Sequence, residues 1–206
     1  MAETMTPSIT DEQIDKATDQ LRAAMRKHRE EIPKDVAQQA LGVDNLGMRM
    51  FAVFRQVVEA MANMITRIVD VDNTQTPETV LTATGRKPYV DNTVVTAMPK
   101  GKGGKTEVIF FKPRPEAYAN GLITDDNLEK EFEFVGLKPA DPCSLDQVNT
   151  DDPAFADTHP NGTHWKNAEG KWCFAAFRRW HGERIVDVRE GGRDWSGVWW
   201  FAGVRK

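Results

Sequence analysis

All six tryptophans of this chain lie between Thr163 and Val204, spaced among arginines, glycines and β-branched residues. Bulky aromatic and β-branched side chains cut at intervals by Gly170, Gly182, Gly191 and Gly192 suit short antiparallel strands joined by tight turns. The segment Trp165–Trp172 reads as a hairpin whose turn ends at Gly170. A symmetric register sets Trp165 opposite Trp172 and His164 opposite Cys173. Further turns are expected near His181-Gly182 and over Glu190–Arg193. Alternation then assigns Cys173, Ala175, Phe177, Val186, Val188, Trp195, Trp199 and Phe201 to one face. Trp172, Phe174, Arg178, Trp180, Ile185, Val198 and Trp200 fall on the other. Both faces are apolar, whereas a half-exposed antiparallel sheet carries one polar face. A second layer, from this chain or from a partner, must therefore cover the sheet.

The N-terminal part has a different period. Thr10 and Gln13 have the spacing of a capping box, and Ile9 and Ile14 sit at the staple positions. Ile14, Ala17, Leu21, Ala24 and His28 then follow at helical spacing, predicting a first helix to about Glu31 with a narrow apolar stripe. Pro33 suits the first turn of a second, short helix that Gly42 stops. A third helix, capped by Asp44 and reaching Val69, is predicted from the heptad-like run Leu46, Met50, Val53, Val57, Met61, Met64 and Ile68. Arg49, Arg55, Gln56, Glu59, Asn63 and Arg67 interrupt it too often for a membrane span. It reads as a core helix, with an oligomer seam as the second reading.

From Asp70 the helical period stops. Thr79–Ala83, Thr93–Met98 and Thr106–Phe111 are expected strands, the last two forming a hairpin with a lysine-rich tip over Pro99–Lys105. A short helix is expected near 124–135 and a long ordered loop, with one helical turn in it, over 138–163. The fold class is thus α+β: a three-helix region, residues 1–70, packed on a mostly antiparallel β-domain, residues 71–206, that ends in a Trp-rich meander.

Charge divides unevenly along this framework. Residues 163–206 carry 9 basic and 5 acidic side chains, while residues 111–162 carry 4 and 11. The basic end therefore meets either the acidic segment before it or an anionic partner. The N-terminus lacks the basic and apolar regions of a signal peptide, and two cysteines make no disulfide framework, so the cytoplasm, or a particle assembled there, is expected.

No motif brings catalysis with it. Gly104-Lys105-Thr106 matches the end of a P-loop, but Pro99 replaces its first glycine and the β-branched run after it is no helix. His159, His164, His181, Cys143 and Cys173 lack metal-ligand spacing, and Cys173 and His181 lie ~26 Å apart along one strand. The acidic residues of the long loop suit caps and turns better than a calcium site. No cofactor, metal or catalytic residue is expected. The leading expectation is a non-catalytic interaction or assembly protein, of the kind found as accessory components of viral or mobile-element particles. Its partners would be proteins, copies of itself included, met through the first helix and the aromatic face. Trp172, Phe174, Arg178, Trp180 and Trp200 would make that contact. The alternative is a single-stranded nucleic-acid binder that adds Lys100, Lys102 and Lys105 to the same face. A small enzyme with an unrecognised site stands third.

Overall fold

The computed structural model describes residues 8–206. Its elements are α1 (Asp11–Lys27), α2 (Lys34–Leu41), α3 (Leu46–Ala62), β1 (Ile65–Val71), α4 (Pro77–Ala83), β2 (Lys87–Val90), α5 (Asn92–Thr96), β3 (Gly104–Phe111), β4 (Leu122–Ile123), α6 (Asp125–Phe134), β5 (Leu137–Pro139), α7 (Pro142–Asp151), α8 (Phe155–Thr158), β6 (Asn161–Lys166), β7 (Trp172–Trp180), β8 (Glu183–Glu190), β9 (Trp195–Ser196) and β10 (Trp200–Arg205). The fold is α+β with a mixed, mostly antiparallel sheet. Two compact units divide after Ala52, within α3.

In the first unit the capping box forms as expected: Gln13 N donates to Thr10 Oγ1 at 3.3 Å and Thr10 N to Gln13 Oε1 at 2.9 Å. The α-helix stops at Lys27, and Arg29–Glu31 continue as a single 3₁₀ turn. Gly42 closes α2, which Pro33 precedes as its N-cap. α3 is the larger correction. It begins at Leu46, ends at Ala62 and buries no residue, so it is no core helix. Ile65–Val71, expected up to Val69 as the end of this helix, is instead a strand paired with β3 along its whole length. Met64 and Ile68 keep helical spacing, but Ile65, Ile68, Val69 and Val71 are β-branched, and pairing with β3 buries Val69 and Val71.

In the second unit the sheet order is β1-β3-β10-β6-β7-β8-β2, with β5 also on β10. β10/β6 and β2/β8 are the parallel pairs. The C-terminal strands are thus a meander only through β8. The chain then leaves, pairs Trp195 in β9 with Ile123 in β4, and returns as a central strand. This detour reverses part of the expected face assignment. Trp195, Trp199 and Phe201 share the core of Phe174 and Ala176, whereas Trp200 packs with Cys173, Ala175 and Phe177.

The first hairpin is also slipped by one residue, with Trp165 opposite Cys173 and His164 opposite Phe174. Asn167 is the cause. Its Oδ1 accepts from Glu169 N and Lys171 N, both at 3.0 Å, and Gly170 follows in the left-handed region at φ 77°. A bulged loop of this kind adds one residue to one strand, and a slip of one exchanges the faces of all its side chains. The next hairpin turns on His181 and Gly182, both at positive φ, as expected.

Helices cover both faces. α4, α5, α7 and α8 lie over Val108, Phe110, Ala175 and Phe177, while α6 lays Leu128 and Phe132 on Ile109, Phe111 and Phe201. Thr79–Ala83 and, of Thr93–Met98, the part up to Thr96 are helical because Thr76 and Asp91 cap them and Pro77 opens α4. The long loop holds α7, capped by Asp141 and opened by Pro142, and then α8.

Candidate functional site

The expected aromatic platform is not one surface. Phe174 is buried beneath Trp195, which sits edge-on at 5.6 Å. Arg193 lies over both and over Trp199, its guanidinium 4.8–4.9 Å from the three ring centres. Burial lowers the Arg193 pKa, and Asp187 works against that shift. Farther along β7, Arg178 forms a diagonal ion pair with Asp187 at 3.7 Å. Trp180 remains 46% exposed, edge-on to Tyr89. Trp200 lines a separate groove with the last turns of α3 and Lys112.

Trp172 is held differently. Its ring stacks on the His164 imidazole at 4.5 Å and 11°, and its Nε1 donates to Asp126 at 3.1 Å. Lys166 places its ammonium 4.5 Å from the same ring. His164 is itself fully buried. Its Nδ1 bonds Asp125 Oδ1 at 2.8 Å, and its Nε2 lies 3.1 Å from Glu129. Burial alone would lower the imidazole pKa, but the bonds to Asp125 and Glu129 outweigh it and the pKa is raised. Burial likewise opposes the lowered Asp125 pKa, which bonds from His164, Arg193 N and Trp195 Nε1 produce. The result is an imidazole held between two carboxylates, a rigid floor for Trp172.

The hairpin slip also separates His164 from Cys173. His164 faces α6 and Cys173 faces the opposite core, so the two cannot share an ion.

Two grooves meet beside this floor. β10 pairs with β6 over Asn161 and Gly162 and then with β5, and a groove of about 450 Å³ opens where β5 and β6 diverge. Glu129, Lys138, His164, Trp165, Lys166 and Trp172 line it. A second groove of about 650 Å³ shares Lys138, Pro139 and Asp141 with the first and is lined by Lys100, Lys102 and Lys105. The three lysines singled out from sequence are therefore brought together, with Trp172 at the far end. They are not on a hairpin tip: Pro99–Gly103 joins α5 to β3, and Lys105 lies within β3. The loop is pinned, since Asn73 Nδ2 donates to Gly101 O at 2.8 Å and Lys100 Nζ to Gln75 O at 2.7 Å. Lys138 and Lys166 complete the group and carry no motif that marks them.

The chain at this point defines itself only as an α+β protein with an uncovered helical segment and a lysine-lined double groove. No protein-family model matches it, and no curated protein or solved structure matches it either. No described helix is long and apolar enough to cross a membrane.

Proposed function

We propose that this chain is a non-catalytic assembly protein that associates with copies of itself through its N-terminal helices. The observation that carries this reading is the exposure of the segment: from Asp11 to Ala62 no residue is buried. Yet α1 bears Ile14, Leu21 and Met25 on one stripe, and α3 bears Phe51, Phe54, Val58 and Met61 at alternating steps of three and four, all exposed. That is the spacing of a coiled-coil seam. Each helix has 17 residues, about 25 Å at 1.5 Å per residue. Helices of this length are marginal in water unless an amphipathic face is packed. A second copy offers stripes of the same length, and a two-fold pairing buries both copies' stripes at once. Cys143 and Cys173 are both free and buried, which fits a cytoplasmic location.

Light scattering on a sizing column, across a concentration range, tests the proposal. A dimer or larger species is expected. A monomer at every concentration would refute it.

A further inference from the structure

We infer that the linked lysine grooves bind single-stranded nucleic acid, with phosphates on the lysines and one base on the outer face of Trp172. Three observations carry this beyond the assembly reading, on which it does not depend.

The first is how charge is committed. The acidic side chains of the grooves are all engaged: Glu107 pairs with Arg205 at 2.9 Å, Glu129 with His164, and Asp141 caps α7 through Ser144 N and Oγ. Lys100, Lys102, Lys105, Lys138 and Lys166 form no ion pair among the described residues. Elsewhere Lys87, Lys171 and Lys206 each find a carboxylate, while Lys112 and Lys130 donate to neutral oxygens. Five ammonium groups outside any ion pair along one track, Lys100 among them although its Nζ donates to Gln75 O, suit a ligand with repeated negative charge rather than a single phosphate.

The second is the preparation of Trp172. Its inner face rests on a buried imidazole and its edge is tied to Asp126, so its ring plane is fixed before any ligand arrives. Its remaining face holds an exposed, flexible lysine. A stacked base can take that place, and the displaced Lys166 ammonium is then free to meet the adjoining phosphate. An aromatic face fixed in this way favours a base over an acidic peptide.

The third is shape. The track runs between β5, the loop before β3 with the start of that strand, and the end of β6. Stacking on Trp172 requires an unpaired base, so a single strand fits where a duplex does not.

The test titrates the full chain into a short fluorescein-labelled oligothymidylate, into the same length of duplex, and across salt. Single strands should bind more tightly than duplex, with a log–log salt slope between about −2 and −3.5 for three to five released counterions. Trp172→Ala should weaken binding roughly tenfold while Trp172→Phe largely retains it. The surface pair Lys102→Glu/Lys138→Glu should abolish binding with melting temperature unchanged. Equal affinity for duplex, an unaltered affinity in the folded double variant, or no binding at low salt would each overturn the inference. Because the seam residues of α3 do not line either groove, Phe54→Asp/Val58→Asp distinguishes this failure from failure of the assembly reading.

Discussion

His164 Nδ1 and Asp125 Oδ1 lie 2.8 Å apart in the interior, and the same oxygen accepts from Trp195 Nε1 at 2.9 Å. Arg193 N bonds the other carboxylate oxygen at 2.7 Å. One carboxylate thus fastens the start of α6 to β6 and to the detour through β9. Buried pairs of this kind destabilise strongly when one member is removed, by about 3–5 kcal/mol. Asp125→Ala and His164→Ala should each lose that much in urea unfolding. The loss should depend on pH in a defined way. The His164 pKa is raised above 6.5, so its contribution is full below 6.5 and fades as pH climbs through the raised value. The Asp125 pKa is lowered below 3.8, so its contribution is full above 3.8 and fades in stronger acid. The variants should therefore differ most from the parent between pH 3.8 and 6.5.

Asp146 has the opposite linkage. It is completely buried on α7, neither carboxylate oxygen has a hydrogen-bond partner among the described residues, and burial followed by the nearby Asp141 charge raises its pKa well above 3.8. Stability from the protonated form is full below pH 3.8 and is lost as pH rises through the folded value. Asp146→Asn removes that proton requirement. Its stability relative to the parent should improve with pH above 3.8, at a slope of up to about 1.4 kcal/mol per pH unit. Melting curves of both proteins at several pH values measure the difference, and a flat difference would show Asp146 ionised without cost.

Arg193 stands over Phe174, Trp195 and Trp199 as a lid whose guanidinium none of the ion pairs among the described residues engages. A partly desolvated cation over aromatic rings is worth about 2 kcal/mol. Arg193→Ala should cost about that much, and Arg193→Met should recover the packing share of it while the cationic share stays lost.

The strands and caps with strong local signals were legible in the sequence: the Thr10–Gln13 box, the helix near Asp125, the turn at His181-Gly182. Three helices were not, and they share a cause. Thr76-Pro77, Asp91-Asn92 and Asp141-Pro142 each place a capping side chain before a helix of 10 residues or fewer, too short for a 3.6-residue period to stand out against β-branched content. The hairpin register turned on a side chain, Asn167, whose bonds to Glu169 and Lys171 no alternation pattern encodes. As for the grooves, Lys100, Lys102 and Lys105 stood out as a local cluster. Lys138 and Lys166 did not, because the strand pairing β3-β10-β5 and the β6–β7 turn bring them in from distant sequence.

Phe51, Phe54, Val58 and Met61 allow the sharpest test of the N-terminal helices. Read as core, an aspartate at Phe51 would unfold the chain and reveal nothing. At 52% exposure for Phe51 and 48% for Val58, it removes no internal packing. Surface substitutions away from packed features change stability by within about 0.5 kcal/mol. Phe54→Asp/Val58→Asp should therefore leave the cooperative unfolding of the β-rich unit in place. On each copy it would set two carboxylates in the seam, facing their equivalents across the two-fold axis. The measured mass should fall to that of one chain, with a loss of helical circular-dichroism signal where α3 depended on its neighbour. A double variant that keeps the parent's mass would move the contact away from α3, to the Ile14–Met25 stripe of α1.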